Sequence, residues 1–124
     1  MKTQAQAILI SYMRELLYSA GENYKRGKDL AERGNAKAAL RAYSDAIKDL
    51  HAVKPQRMRD VLLAQVHLSR YQVALKNNDK RAIQDLRFGY SYARTTQEPK
   101  VRELAEQLWS EHLRGQIPVL AAND

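Results

Sequence analysis

The sequence predicts an all-α protein of about six helices in antiparallel hairpins, and three observations support this. Apolar residues recur at intervals of three and four along most of the chain, which is the period of one helix face. No segment alternates apolar and polar residues between hairpin turns, as a half-buried strand would. Gly34, Asn35 and Pro55 separate periodic segments at points where helices are expected to stop and restart.

Length and composition indicate one globular domain in an aqueous compartment. The chain has 124 residues, of which 44% are apolar and 28% charged, as is ordinary for a folded domain. It contains no cysteine, which excludes disulfides, thiolate metal sites and cysteine nucleophiles. No apolar run approaches the roughly 20 residues that span a bilayer. We expect a cytoplasmic protein.

The net charge of +7 is concentrated in the middle of the chain. Residues 54–97 contain nine Lys/Arg against three Asp/Glu, whereas residues 98–124 contain three against five. A basic surface attracts acidic proteins and nucleic acids alike. The candidate polyanion contacts are Arg57, Arg59, Arg70, Lys80, Arg81 and Arg87, with Tyr90 and Tyr92 available for stacking. Nucleic-acid binding is therefore an alternative function.

The first half of the chain predicts two or three helices. An amphipathic helix begins near Thr3 and extends to about Tyr18, and Ser19 precedes Glu22 by the spacing of a capping box. A second helix begins there, or the first one bends. Gly34 can adopt the left-handed conformation of a helix stop and Asn35 can cap the next helix, so the helices on either side should be antiparallel.

The remaining helices follow from similar signals. The expected segments are Ala36 to Val53, Gln56 to Lys76, a helix capped by Asp79 that ends near Arg94, and a last helix capped by Thr95 or Thr96 that ends at Gly115. The helix over Gln56 to Lys76 has apolar residues over a wide arc, so it should be packed on two sides. Ile117, Val119 and Leu120 make the tail apolar enough to dock on the protein or on a partner.

Small and large residues alternate around the Gly34 turn in a way that suits close helix packing. Gly27 and Ala39 should face each other across the turn, where the two backbones approach closely. Tyr43 then supplies a large side chain on the second helix, and Ala46 a small one. We interpret this spacing as a helix-packing pattern and not as a catalytic motif.

The same stretch resembles a tetratricopeptide repeat, a helix–turn–helix unit of 34 residues. The residues that match are Gly27, Leu30, Gly34, Ala39, Tyr43 and Ala46. Ala82, Leu86 and Gly89 repeat part of the pattern 43 residues later, as a degenerate second copy. The resemblance implies a right-handed array over residues 20–114 that includes a C-terminal capping helix, with an additional helix at residues 1–19 and a tail at residues 115–124.

In function, the resemblance implies a non-catalytic adaptor or chaperone that holds a partner's peptide or helix in a groove. By position, the groove residues would be Tyr24, Lys28, Ala31, His67, Tyr71 and Ala74. The basic character of the chain would favour an acidic ligand. Family members that clamp a C-terminal carboxylate have a lysine where this chain has Tyr24, so that mode of binding is not expected.

The sequence contains no motif that indicates catalysis. The three histidines, His51, His67 and His112, do not form an i, i+4 pair for zinc. There is no glycine-rich phosphate loop and no Gly-x-Ser-x-Gly elbow. We therefore expect no enzyme activity, metal or cofactor. The apolar first helix suggests a homodimer as a further possibility.

Overall fold

The structure is a computed structural model that describes residues 3–122, with side chains described as far as Gly115. The all-α prediction is confirmed, because this part of the chain contains helices and no strand. Residues 3–122 form five helices where about six were expected. They are α1 (Gln4–Glu32), α2 (Ala36–His51), α3 (Arg57–Lys76), α4 (Ala82–Thr95) and α5 (Pro99–Ala122). Between residues 3 and 122, no helix is both long and apolar enough to cross a membrane.

The helix count differs because α1 is continuous for 29 residues. Ser19 does not cap a new helix, since its hydroxyl donates to Asp49 Oδ2 of α2 at 2.7 Å. Asn23 Nδ2 donates to the same oxygen at 3.2 Å. The capping box lies at the start of α1 instead, where the amide of Gln6 donates to Thr3 Oγ1 and Gln6 Oε1 accepts from the amide of Thr3. The side chain of Ser19, which the sequence predicted as a helix cap, therefore forms a hydrogen bond between α1 and α2 instead.

The turn between α1 and α2 has the predicted structure. Gly34 has a φ of +81°, in the left-handed region that glycine adopts without strain. The side chain of Asn35 accepts a hydrogen bond from the amide of Ala38 at 3.2 Å and caps α2. Because only a few residues separate the two helices, α1 and α2 pack as an antiparallel hairpin.

Close packing within the two hairpins depends on glycine. A Cβ at Gly27 would clash with the buried ring of Tyr43, so α1 passes directly over that ring. In the second hairpin, a Cβ at Gly89 of α4 would lie 2.7 Å from Leu68 Cδ2 of α3. The small residue is thus on the first helix of one hairpin and on the second helix of the other.

Three other predicted caps, Thr95, Thr96 and Asp79, act differently from the expectation. Thr95 and Thr96 each donate a hydroxyl hydrogen bond of 2.9 Å to a carbonyl of α4, so they close the end of that helix and do not start α5. Pro99 begins α5, where the missing N–H of proline costs nothing. Asp79 Oδ1 accepts from the amide of Arg81 at 2.9 Å, in the turn that leads into α4.

Helix α5 also continues past Gly115, where the sequence suggested an end. One glycine inside a helix costs only about 1 kcal/mol relative to alanine, which is too little to terminate it. The predicted docking of Ile117, Val119 and Leu120 concerns side chains outside the described ones.

Helix α3 is the centre of the fold and contacts each of the other four helices. This agrees with the wide apolar arc in its sequence. One core cluster joins α1, α2 and α3 around Tyr43, Leu50 and Leu63, and another joins α3, α4 and α5 around Leu68 and Leu86. Helix α3 packs against both α1 and α5, whereas the described residues of α1 and α5 make no contact with each other. The three helices therefore leave an open groove above α3.

Candidate protein-binding groove

The groove has a volume of about 940 Å³ and is lined by α1, α3, α5 and the start of α2. Apolar contacts come from Ala31, Val73, Leu75 and Leu108. Polar groups lie among them, including Ser69 and Gln72. A concavity of this size, with mixed apolar and hydrogen-bonding walls, has room for a drug-sized molecule or for part of a peptide or helix.

Three of the six predicted groove residues, Lys28, Ala31 and Tyr71, line this concavity. Tyr24 lies next to them, where its hydroxyl is 3.2 Å from Ser69 Oγ and its ring is 5.5 Å from Lys28 Nζ. These contacts hold Tyr24 between α1 and α3 and place the ammonium of Lys28 over its ring. Tyr24 therefore contacts Lys28 and Ser69, which line the groove, but its own side chain does not line it.

Two of the predicted residues do not reach the groove. His67 is buried and directed toward α4, where its Nδ1 lies 2.9 Å from Asp85 Oδ1. Its ring also stacks on Tyr92, with a centroid distance of 6.0 Å. Ala74 is buried in the core cluster of α3, α4 and α5. Repeat spacing assigned both residues to the groove face, but the α3 residues that line the groove include Ser69, Gln72, Val73 and Lys76. At 3.6 residues per turn, His67 and Ala74 lie on nearly the opposite side of α3, which faces the core.

Helix α5 contributes groove residues that the sequence prediction omitted, namely Leu108, Glu111, His112 and Gly115. The sequence indicated α5 only as a cap over the last hairpin. The amphipathic stripe from Val101 to Leu113 was the available signal, because α5 is the third helix, after α1 and α3, that borders the groove. Residues of α5 next to this stripe, such as Glu111, could therefore have been predicted to line the groove.

The groove combines cations and anions with two buried phenols. Lys28 and Lys76 are exposed on its walls, as are Glu32 and Glu111. Burial, with a smaller contribution from Tyr24, raises the pKa of Tyr43 to about 12. Burial and then the nearby Glu111 carboxylate also raise the pKa of Tyr71. Both phenols are therefore neutral near pH 7 and offer hydroxyl groups, not charges.

The predicted polyanion contacts are spread along the whole of α3 and into α4. Arg57 and Arg59 are at the start of α3, while Lys80 and Arg81 follow its end, about 30 Å away at 1.5 Å per residue. Three of the arginines are also engaged in ion pairs. Arg59 pairs with Asp60 at 3.1 Å, Arg70 with Asp85 at 3.4 Å and Arg81 with Asp79 at 3.4 Å.

A smaller hollow on the outer surface of α4 and α5 collects aromatic and cationic groups. It is lined by Arg87, Arg94, Tyr90 and Trp109, with a volume of about 360 Å³. The rings of Tyr90 and Trp109 stack with centroids 5.2 Å apart, and the guanidinium of Arg94 lies 5.8 Å from the centre of the Tyr90 ring. Of the predicted cations, only Arg87 belongs to this hollow.

Among the residues whose structure is described, no three His, Asp or Glu side chains are grouped so that they could hold a metal ion. The His67–Asp85 pair has Arg70 as its third member, and this buried network links α3 to α4. Within the same described residues, every buried side-chain nitrogen or oxygen has a hydrogen-bond partner. The network is thus satisfied internally and requires no ligand.

Comparisons with models of protein families, with curated proteins and with solved structures find no match to this chain. The resemblance to tetratricopeptide repeats therefore depends on the residues named above.

Proposed function

We propose that this protein is a non-catalytic adaptor or chaperone that holds a peptide or helix of a partner protein in the groove between α1, α3 and α5, in the manner of a tetratricopeptide-repeat protein. The observation that carries the proposal is the groove itself. It is about 940 Å³ in volume and is lined by three successive odd-numbered helices. A repeat array presents its first helices to a ligand in this way.

The chemistry of the groove suggests the type of ligand. Apolar side chains of the partner would contact Ala31, Val73 and Leu108, while acidic groups would pair with Lys28 and Lys76. The net charge of +7 would also steer an acidic segment toward the protein before contact. The ligand class is therefore an amphipathic peptide with acidic residues.

The experiment begins with the selection of binders from a displayed library of random peptides. The affinity of a selected peptide is then measured by fluorescence anisotropy for wild type and for Lys28→Glu/Lys76→Glu. The control, Lys48→Glu/Lys100→Glu, makes the same change in net charge at exposed positions outside the groove. We expect the groove variant to lose at least roughly tenfold in affinity, about 1.4 kcal/mol, and the control to lose little. Equal losses in both variants would contradict the groove as the binding site.

Single-stranded nucleic acid is the second candidate ligand, and the hollow on α4 and α5 favours it. Stacked aromatic rings beside arginine are the groups that bind exposed bases and phosphates. The test uses a labelled DNA oligonucleotide with Arg87→Glu/Arg94→Glu, while Lys48→Glu/Lys100→Glu again controls for charge. Specific loss of oligonucleotide binding in the arginine variant would favour this function over the adaptor.

A further inference from the structure

The N-terminal part of α1 extends beyond the rest of its hairpin. Ser19 bonds to Asp49 near the end of α2, which ends at His51. Leu17 still packs on the core cluster that includes residues of α2, so the projecting part of α1 is residues 4–16, about 20 Å at 1.5 Å per residue. A helix end without a packing partner opens at little cost in free energy.

The projecting segment has an exposed apolar side. Ile8, Leu9 and Tyr12 are 63%, 44% and 53% exposed, respectively. Residues 3–13 contain no Asp, Glu, Lys or Arg. Scattered exposed apolar residues are common, but three within two turns of an uncharged helix form a contact surface.

This surface continues the interface that α1 already makes with α2. Ala5, Leu9, Tyr12 and Leu16 follow one another at intervals of four, three and four, and the same series continues to Ser19 and Asn23. Ser19 and Asn23 are the residues that bond to Asp49 of α2. A helix packed on Ala5 to Leu16 would therefore continue the line of α2 where α2 has ended.

The series is also complementary to itself. It is symmetric about the point between Ile10 and Ser11, as a two-fold axis requires. In an antiparallel pair, Ala5 would face Leu16 of the second copy and Leu9 would face Tyr12 of the second copy. A small residue thus opposes a large one in the outer layers, which is how antiparallel heptad seams fill space.

The distribution of charge agrees with self-association. Arg14 and Glu15 are the only charged residues between positions 3 and 18, and neither belongs to the series Ala5, Leu9, Tyr12 and Leu16 that forms the seam. No like charges meet, although each chain carries +7 overall. Helices that lie on membranes carry several Lys or Arg on their polar face, and one arginine is too few for that.

We propose that the protein is a homodimer in which residues 4–16 of α1 pair antiparallel with the same residues of a second copy. The groove is lined by residues of α1 from Lys28 onward, so it lies outside the paired segment. Dimerisation does not depend on the groove's ligand. A dimer would present two grooves to a partner.

Molar mass in solution, measured by light scattering over a concentration series, tests the dimer. Wild type should reach twice the 14.2 kDa of the chain. Leu9→Glu/Tyr12→Glu should stay at the monomer mass, because each glutamate would face another across the pair. Ala7→Glu/Ser11→Glu, at exposed positions on the opposite side of α1, should dimerise like wild type. Circular dichroism confirms that each variant is folded.

Disulfide trapping tests the antiparallel register, because the chain has no cysteine of its own. A mixture of Leu9→Cys and Tyr12→Cys chains should form mainly the mixed disulfide under mild oxidation. Predominant Leu9→Cys homodimers would indicate a parallel pair and overturn the proposal. So would a monomer at every concentration, or sedimentation with vesicles of phosphatidylcholine and phosphatidylserine that Leu9→Glu/Tyr12→Glu abolishes.

Discussion

At the scale of single residues, two glycines of α1 separate the effect of packing from that of helix propensity. A Cβ at Gly27 would clash with the ring of Tyr43, whereas a Cβ at Gly21 meets no atom within 4 Å. Gly27→Ala should therefore destabilise the protein by about 1–3 kcal/mol, because the buried ring cannot move away. Gly21→Ala should stabilise it by up to about 1 kcal/mol through helix propensity.

Urea unfolding of both variants checks this prediction, with wild type as the reference. If Gly27→Ala were as stable as Gly21→Ala, the close approach of α1 to Tyr43 would be incorrect. The sequence alone predicted Gly27 as a contact point, since a glycine at that distance from a helix stop is typical of a tight hairpin. It did not identify Tyr43 as the partner of Gly27.

Because Asp85 pairs with both His67 and Arg70, we expect the loss of its carboxylate to destabilise the folded protein strongly. Asp85→Ala would leave His67 and Arg70 without their partner between α3 and α4, and we expect a loss of about 3 kcal/mol. Asp45→Ala is the matched control, since Asp45 is an exposed aspartate paired with Arg26 at 3.6 Å. It should change stability by no more than about 0.5 kcal/mol.

Thermal or urea unfolding measures both aspartate variants. Equal, small effects would mean that the network contributes little and that His67 could turn toward solvent. The network also explains why sequence spacing misplaced His67. A histidine on a helix face is compatible with a ligand site or with a buried partner, and that partner, Asp85, is 18 residues away.

At the scale of elements, the α1–α2 turn depends on the conformation of one residue. Gly34 has a φ of +81°, and no atom lies within 4 Å of a Cβ placed there. The cost of Gly34→Ala is therefore one of backbone strain alone, about 1–2 kcal/mol. Gly34→Asn should cost less, because asparagine tolerates the left-handed region. Unfolding free energies of the two variants in urea test this order, and an alanine variant as stable as wild type would contradict it.

Helix type and most helix boundaries could be predicted from the sequence, whereas cap assignment was less reliable. Periodicity and the Gly34–Asn35 stop located α2 and the end of α1 within a residue or two. Ser19, Thr95 and Thr96 were misassigned because a hydroxyl near a helix end can cap, bond backward to a carbonyl or bond to another helix. Only the tertiary structure selects among these three choices.

At the scale of the whole molecule, the groove was predictable in kind but only partly in its residues. The hairpin order placed Lys28, Ala31 and Tyr71 on one concave side. The contribution of α5 was not predicted from the sequence, since it depends on the angle between α5 and α1 when both pack against α3. Tyr71 is also buried at the floor of the groove, so Tyr71→Ala would disturb the core together with any binding surface.

An NMR titration shows whether a partner peptide occupies the groove, as we propose. Amide shifts of the 15N-labelled protein are followed while a library-selected peptide is added. We expect the largest shifts in the segments that line the groove, which are Lys28 to Gly34, Ser69 to Asn77 and Leu108 to Gly115. Largest shifts around Arg87 to Thr95, with the groove segments unchanged, would contradict this proposal.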